Sequence, residues 1–433
     1  MNSCAILFVF LSALTLFEAV DRALAQHPSV LGAKASVEAA HASVGEAKAA
    51  WWPSLDLTAS ATRYNEPMIV APIHGFAPQE LPDFDRTLLQ AGVQLESLLF
   101  DAGGRSARIK ITRAQEASAR ASLDEAAQQL VADVSRAYLE TLGQDAILAA
   151  HDQRMEALAA ESTRVANLFS AGRAARVDQL RAEAELAQAR AERTVAAAAL
   201  DVAERELARS IAGTVDETRA PELADVALED AAVLPRETLE QEAMRASPAR
   251  RRSESELAAA REGVPLAKSE RYPSLHLLAA MLDRGSADSD FETEWNAGLH
   301  LRLPLFTGGA LYNNVRRAEA LRLRAQEDLR LREDFLREDV DRAVARIEET
   351  RSQTAELATA SSRFEEVARV AQLQVETGTG TQIDYLQAEA DLLRARAAHA
   401  RARYSEVAAY IELQRALGTL DVEWMRETLR SAP

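Results

Sequence analysis

Two kinds of hydrophobic pattern alternate along the chain. In four segments, apolar and polar residues alternate with a period of two, which predicts β-strands with one apolar and one polar face. Between them lie long runs rich in alanine, leucine, glutamate and arginine, a composition typical of extended helices. The strands are predicted at about 54–64, 87–99, 274–283 and 294–305. We therefore expect an α+β protein in which a few strands join very long helices.

The predicted helices exceed the length of helices in an ordinary globular domain. An N-terminal helical stretch reaches Ala50 and is interrupted near His27-Pro28. Two long helices follow at 104–169 and 310–376, and only Gly143 interrupts the first of them. At 1.5 Å per residue, each long helix spans roughly 100 Å. Each leads into a turn, at 170–176 and 377–381, and then into a shorter helix, at 177–211 and 382–417. Long antiparallel helical hairpins are the predicted result.

The order of elements occurs twice, which indicates an internal duplication. The turn around Gly172 matches the turn around Gly378 at an offset of 206 residues, whereas Trp52-Pro-Ser-Leu55 matches Tyr272-Pro-Ser-Leu275 at an offset of 220. The first loop between paired strands is therefore 14 residues longer than the second. This loop, Asn65 to Asp85, contains four prolines and is predicted to be irregular. The repeats are predicted at 14–212 and 248–418, with a connection at 213–247 and a tail at 419–433.

The N-terminal residues are typical of an export signal, predicted within 1–25. The apolar run that contains Cys4 is too short to cross a membrane as a mature helix. Ala23-Leu24-Ala25 has the small residues of a cleavage site, but cleavage near Ala13 is the alternative, because Leu16 and Val20 fall on one helical face of the next segment. The cleavage point stays open on these observations.

Composition excludes several classes of function. A net charge of -17 and a pI near 5.1 argue against a nucleic-acid-binding protein. The single cysteine excludes a disulfide framework or a thiolate metal cluster. The seven histidines are scattered without metal-ligand spacing, and no phosphate-binding loop or catalytic constellation is evident. We predict a protein that is not an enzyme and needs neither a cofactor nor a metal.

The strand chemistry suits a membrane location. If the strands cross a membrane, the apolar face contacts lipid and the polar face lines a wet lumen. Four strands cannot close a membrane barrel, and open sheet edges are not tolerated in lipid, so several chains would have to contribute. The alternative is a soluble, half-buried sheet, which has the same alternation. The candidate lumen residues are Gln94, Glu96, Asn296, His300 and Arg302, and the candidate interfacial aromatics are Trp51, Trp52, Phe100, Tyr272 and Phe306.

The duplicated pattern resembles the TolC-like outer-membrane efflux proteins over about residues 14–420. The resemblance rests on the order and spacing of several short motifs: Leu14-Thr-Leu-Phe-Glu-Ala-Val20, the two strand starts quoted above, Leu99-Phe100-Asp-Ala-Gly-Gly104, Leu305-Phe-Thr-Gly-Gly309, Thr377-Gly-Thr-Gly-Thr-Gln-Ile-Asp384 and Ala416-Leu-Gly-Thr-Leu420. It implies a homotrimer with a 12-stranded β-barrel in the outer membrane and a helical barrel (α-barrel) in the periplasm. An equatorial belt would be formed by 213–247 and the tail after Gly418.

The function that this resemblance implies is a passive exit duct of a tripartite efflux pump. An energised inner-membrane transporter would drive export of small molecules, and a periplasmic adaptor protein would dock at the helical tips. The implied docking residues are Gly172, Arg173, Asp178, Gly378 and Gly380. Glycines at the tips are equally expected of ordinary helix–turn–helix connections that need a left-handed backbone.

The resemblance also implies an aperture residue near the second tip. Asp384 lies where the family carries an aspartate, and three copies would form an acidic ring that favours cations. Thr381 and Asp384 are also the pattern of an ordinary helix cap. The family's second aspartate is Gln387 here, which weakens any acidic ring, and Gly380 stands where the family carries a tip arginine that links neighbouring helices. The rival class is a soluble periplasmic coiled-coil scaffold or adaptor protein.

Overall fold

A computed structural model describes residues 13–72, 82–211, 223–229, 234–288 and 290–432 of the chain. The helices are α1 Leu16–Gln26, α2 Pro28–Ala49, α3 Gly104–Ser170, α4 Arg176–Ser210, α5 Arg236–Ala246, α6 Pro248–Ser269, α7 Ala310–Thr377, α8 Gln382–Leu417 and α9 Val422–Thr428. The strands are β1 Ser54–Ile69, β2 Phe84–Phe100, β3 Asp225–Leu228, β4 Ser274–Gly285, β5 Glu292–Arg302 and β6 Leu429–Ala432.

The chain divides into two compact units. The first comprises Met1–Ala35, Ala121–Arg250 and Arg332–Pro433, and the second comprises Ser36–Arg120 and Arg251–Leu331. In the described residues, none of the helices is long and apolar enough to cross a membrane.

The second unit is built on a four-stranded antiparallel sheet in the order β1-β2-β4-β5. The prediction of an irregular loop from Asn65 to Asp85 was wrong at both ends, because β1 continues to Ile69 and β2 begins at Phe84. Pro67 is accommodated because it lies in the stretch between Arg63 and Met68, where the regular pairing of β1 with β2 is interrupted and a missing N–H breaks no ladder. The pairing shifts register between Arg63 and Met68. Residues 73–81 of that loop lie outside the described residues.

The long helices have the predicted extents, with one correction. Gly143 does not interrupt α3, which is continuous from Gly104 to Ser170. A Cβ at Gly143 would lie 3.6 Å from the Tyr404 ring on α8, an ordinary van der Waals distance. Helix α3 therefore packs against Tyr404 at this point, and packing offsets the weak helix propensity of the glycine. The last predicted strand is shorter than expected: β5 ends at Arg302, two residues before Pro304.

The first unit has a core centred on Tyr138, which is completely buried. Its hydroxyl lies 2.7 Å from the backbone oxygens of Leu14 and Ala224. Burial raises the pKa of Tyr138 well above its ordinary value, so the hydroxyl keeps the proton that it donates. The short strands β3 and β6 pair antiparallel beside this core, which joins the connection to the C-terminal tail. Tyr138 thus holds the N-terminal segment and the connection against α3.

Helix α1 is part of that same core. Thr15 and Glu18 form a reciprocal capping box at its start, and Leu16 and Val20 are completely buried. A leader that ended at residue 25 would remove nearly all of this helix. Cleavage near Ala13 would leave the whole of α1 in place, and the position of the cleavage point stays a prediction.

Candidate functional site

The strand register places all five candidate lumen residues on one face of the sheet. Residues directly opposite each other in an antiparallel pair project to the same side. Gln94 lies opposite Ala280, which lies opposite Asn296. Glu96 continues the row of Gln94 along β2, and His300 and Arg302 continue the row of Asn296 along β5. All five are exposed in the single chain.

Two residues of β4 complete this polar face, although the sequence pattern did not single them out. His276 lies opposite His300, and its Nδ1 is 3.2 Å from the Glu96 carboxylate. The Arg284 guanidinium is 3.6 Å from the Glu294 carboxylate. The face is therefore lined by charged and hydrogen-bonding groups that a water-filled passage can solvate. His276 and Arg284 each lie four residues from Ala280 along β4, so their side chains project to the same face as Ala280. A correct prediction of the strand register would have identified them.

The opposite face of the sheet is apolar, and no described part of the chain covers it. Leu57 and Trp295 each expose 78% of their surface, and Leu299 and Leu301 are similarly exposed. Large apolar patches of this kind mark contact with a membrane or a partner. The two faces have the chemistry expected of a lipid side and a lumen side.

The five candidate aromatics all lie at junctions between strands and helices. Trp51 and Trp52 precede β1, Tyr272 precedes β4, Phe100 is the last residue of β2, and Phe306 follows the end of β5. All five are more than half exposed. This is the position that tryptophan, tyrosine and phenylalanine occupy at a membrane–water boundary. A role as an interfacial girdle remains a prediction.

Both candidate tips are left-handed glycine turns with the same hydrogen bonds. Gly172 has φ 71° and Gly378 has φ 75°. The N–H of Arg173 donates to the Leu168 carbonyl at 2.8 Å, and the N–H of Thr379 donates to the Gln374 carbonyl at 2.9 Å. These are the bonds of the Schellman motif, which satisfies the last carbonyls of a helix. The glycines are thus explained by the turn itself, and adaptor docking remains a separate proposal.

The remaining tip residues have local roles. The Asp178 carboxylate accepts a hydrogen bond from the Ala175 N–H at 3.4 Å, in the first turn of α4. A side chain at Gly380 would begin 2.8 Å from the Gln374 Cβ, so this turn requires glycine. Arg173 is exposed. The structure brings these residues to the two turns of the first unit, whereas the candidate lumen residues belong to the second unit.

Asp384 and Gln387 are exposed on the first turns of α8. The Thr381 hydroxyl donates to the Asp384 carboxylate at 2.6 Å and accepts from the Asp384 N–H at 3.2 Å. The predicted helix cap is therefore present. The Gln387 amide donates to Asp391 at 3.1 Å, which adds a carboxylate one turn further along the same face. The sequence analysis did not select Asp391.

A polar cluster lies between α3 and α8 near the tips. Burial raises the pKa of Glu389, and the nearby Arg396 and Arg154 oppose that shift. Burial also raises the pKa of Tyr385, whose hydroxyl hydrogen-bonds to Glu389. Glu161 and Arg164 form a two-bond ion pair close by, with both distances 2.7 Å. Among the described residues, His, Cys, Asp and Glu side chains form no group of three suited to a metal ion.

Long helical hairpins joined to a two-faced sheet of four strands define the channel fold of outer-membrane efflux proteins. A family profile described as "Outer membrane efflux protein" matches residues 19–213 and 239–419. The chain belongs to this family. It is an outer-membrane efflux channel of the TolC kind, a transporter component and not an enzyme.

Individual relatives agree with this assignment. The chain is 26% identical over 426 residues to the outer membrane protein TolC of Vibrio cholerae, covering 94% of this chain and 91% of that protein. It is 28% identical over 321 residues to the protein CyaE of Bordetella pertussis, covering 72% of this chain and 64% of CyaE.

Solved structures show the same fold. The CmeC outer membrane channel of Campylobacter jejuni superposes with a TM-score of 0.81 at 17% identity, covering 95% of this chain and 88% of CmeC. The outer membrane protein VceC of Vibrio cholerae has a TM-score of 0.75 at 20% identity, covering 93% of this chain and 96% of VceC.

Proposed function

We propose that the chain is the outer-membrane exit duct of a tripartite efflux pump. Three copies form one channel in outer-membrane lipid and extend into the periplasm. A periplasmic adaptor protein docks at the helical tips, and an energised inner-membrane transporter drives small molecules into the duct. The duct itself is passive. Channels of the TolC family form trimers and work with efflux or secretion systems, which supports this arrangement.

The observation that carries the proposal is the two-faced sheet with two open edges. Within the described sheet, β1 and β5 are the end strands. Unpaired backbone N–H and C=O groups are costly in lipid, so a membrane sheet must close on itself. Bacterial barrels need about eight strands or more. Pairing of β5 in one copy with β1 in the next closes a barrel from three copies of the four strands.

The tips supply the docking and aperture surfaces in this proposal. Arg173 is an exposed cation at the first turn, and the second turn offers Thr377, Thr379 and the glycines. Three copies of the exposed Asp384 would place carboxylates around the axis, where a ring of one charge selects ions. Gly380 has no side chain with which to close that ring. Strands β3 and β6, paired beside the Tyr138 core, would form the equatorial belt.

The experiment that tests the proposal is membrane fractionation followed by light scattering of the detergent-extracted particle. We expect outer-membrane protein with three times the 47.2 kDa mass of one chain, less any leader. Cells that lack the protein should accumulate a fluorescent dye such as ethidium, and the gene should reverse that accumulation. A monomer in the soluble periplasmic fraction would favour the scaffold or adaptor alternative instead.

A further inference from the structure

Two histidines lie directly opposite each other on the polar face of the four-stranded sheet. His276 is on β4, and His300 is its partner on β5. In an antiparallel pair, the Cβ atoms of such residues are about 4.5–5.5 Å apart, and both side chains project to the same side. The two imidazoles can therefore reach a common point above the sheet, although 24 positions separate them in the sequence.

This arrangement suits a transition-metal ion. Imidazole nitrogens bind Zn²⁺ at about 2.0–2.1 Å, so two of them on one tetrahedral ion are roughly 3.3 Å apart. Side chains whose Cβ atoms start about 5 Å apart can converge to that separation. Imidazole is a ligand that suits Zn²⁺, Cu²⁺ and Ni²⁺, whereas Ca²⁺ and Mg²⁺ prefer oxygen ligands. The pair thus defines the class of ion that it would bind.

The carboxylate of Glu96 determines which nitrogen of His276 is available. Glu96 Oε1 is 3.2 Å from His276 Nδ1. An ionised carboxylate can only accept a hydrogen bond, so Nδ1 carries the proton, and Nε2 of the neutral ring keeps its lone pair. A carboxylate in this place is the usual partner of a metal-binding histidine, whose ring it orients and makes more basic. Glu96 is therefore a positioning residue and not a ligand.

The number of protein ligands indicates a weak and exchangeable site. Among the residues that the structure describes, no group of three His, Cys, Asp or Glu side chains could hold a metal. Two imidazoles leave the other positions of the ion to water, in contrast to a structural zinc site with four protein ligands. Arg302 lies two residues after His300 on the same face, and the charge of Glu96 offsets its positive charge.

We propose that His276 and His300 together bind a divalent transition-metal ion, such as Zn²⁺ or Cu²⁺, with Glu96 orienting His276. The site lies within one chain, whereas its place in a passage rests on the channel function proposed above. A bound ion adds positive charge to the polar face of the sheet. Inside a channel that charge opposes the passage of other cations.

Copper binding to the detergent-extracted particle tests the site. The probe is Cu²⁺ alone, because it binds nitrogen ligands most tightly among the first-row divalent ions. We would titrate the full chain, purified without a histidine tag, and record electron paramagnetic resonance spectra. Splitting of the copper signal by nitrogen nuclei distinguishes imidazole from carboxylate ligands. Light scattering of each variant checks that the particle has assembled.

His41 provides the matched control. Its Nδ1 is 3.0 Å from Glu116 Oε1, so it has the same kind of carboxylate contact as His276. It lies on α2, which contains no other histidine. His41→Gln therefore removes a histidine with a carboxylate partner but no histidine opposite it on a neighbouring strand. The test variants are His276→Gln and His300→Gln.

We expect one Cu²⁺ ion per chain with nitrogen splitting, and unchanged binding in His41→Gln. Loss of either His276 or His300 should weaken binding by more than about tenfold, since even an outer partner of a ligand is worth about that much. Glu96→Ala should weaken binding about tenfold, and Glu96→Gln less, because its amide oxygen can still accept from Nδ1. Equal binding in Glu96→Ala would overturn the positioning role.

Several results would overturn the site itself. Oxygen ligands alone in the unmodified protein would do so without any variant, and so would full binding after loss of both histidines. In the reconstituted channel, Cu²⁺ should lower the cation current and a chelator should restore it. An unchanged current with the ion bound would place the site outside the passage. A particle of monomer mass that binds Cu²⁺ through both histidines would overturn the channel proposal and leave the metal site standing.

Discussion

The guanidinium of Arg105 lies over the indole ring of Trp51, 4.1 Å from its centroid. Arg105 is buried and donates to the backbone oxygens of Leu98, at 2.6 Å, and Leu99, at 3.2 Å. One side chain thus holds together the end of β2, the start of α3 and the turn before β1. The second repeat has the reverse arrangement, with Arg271 at the position of Trp51 and the Tyr312 ring 5.9 Å from it.

Replacement of Arg105 should destabilise this corner. Arg105→Lys keeps the charge but loses the planar fork that reaches the backbone carbonyls of Ala50, Leu98 and Leu99, and a carbonyl left without its donor costs at most about 1–3 kcal/mol. We expect a lower midpoint in denaturant unfolding of the detergent-solubilised protein. Arg271→Lys is the matched control and should change the midpoint little, because its one backbone bond is 3.4 Å long and exposed. Equal losses in both variants would contradict the special role of Arg105.

The two faces of β1 should respond in opposite ways to a new charge. Leu57 and Thr58 are neighbours in β1, so their side chains project to opposite faces. Leu57→Lys places a cation on the apolar face, where it costs about 2–4 kcal/mol at the middle of a bilayer, and Thr58→Lys places it on the polar face. We expect less folded Leu57→Lys protein in the outer membrane, measured by heat-modifiable mobility on gels. Normal assembly of Leu57→Lys would argue for a soluble sheet.

The buried carboxyl near the tips predicts a pH dependence with a definite sign. The raised pKa of Glu389 means that the folded state holds this proton more tightly than the unfolded state. The stability that protonated Glu389 contributes is fully present below the ordinary carboxyl pKa, and it is lost as pH rises through the raised pKa. Glu389→Gln removes that loss, so its melting temperature should exceed that of the unmodified protein at pH 7 and equal it near pH 4.

Glu366 is the control for that prediction, because its pKa is shifted the other way. A hydrogen bond from Arg369 lowers the pKa of Glu366, so its contribution is present above the ordinary carboxyl pKa and is lost as pH falls. Glu366→Gln should therefore leave the melting temperature slightly lower at pH 7, or unchanged. A rise at pH 7 in both variants would point to relief of general negative charge instead.

Processing should leave α1 in the mature protein. Leu16 and Val20 belong to the buried core, and the backbone carbonyl of Leu14 accepts a hydrogen bond from the Tyr138 hydroxyl. We expect N-terminal sequencing of outer-membrane protein to give a first residue at or before Leu14. A chain expressed with a standard leader fused at Gln26 should fail to assemble, whereas the same leader fused at Ala13 should support assembly. A mature start after Ala25 would contradict the role of α1.

Channel recordings can distinguish the two interpretations of Asp384, as a carboxylate that lines the aperture or as an ordinary helix cap. Asp384→Asn removes the carboxylate charge, and Thr381→Ala removes the capping hydroxyl at a cost of about 0.5–2 kcal/mol while keeping the charge. If the carboxylates ring the aperture, lanthanum ions added on the tip side should block the native channel and the Thr381→Ala variant but not Asp384→Asn. Equal block in all three would assign Asp384 to the helix cap alone.

Periodicity was sufficient for the elements of this fold but not for every boundary. The alternation in β2 and β5 identified their polar faces correctly, since neighbouring side chains in a strand must project to opposite sides. Pro67 was misleading because proline is excluded from a regular ladder but tolerated where the pairing is irregular, and the register shift between Arg63 and Met68 depends on the partner strand. Gly143 was misleading for a similar reason, because the approach of Tyr404 is a tertiary contact.

Contacts between distant parts of the chain could not be predicted from the local sequence pattern. The Tyr138 hydroxyl reaches residues 124 and 86 positions away, and the whole second repeat lies between β3 and its partner β6. His276 was treated as one of several scattered histidines, because its position beside Glu96 follows only from the register of β2 and β4. A one-residue slip would have put it on the other face.

The two Schellman turns have a consequence for stoichiometry. Their backbone bonds are alike, but Arg173 and Ala174 follow the first glycine, whereas Thr379 and Gly380 follow the second. A trimer would therefore present two kinds of hairpin end, with three of each. A partner that binds the arginine would bind one molecule per channel chain, and a partner that binds only the shared backbone shape would bind two. The subunit ratio of the isolated complex thus reports which feature of the turn is recognised.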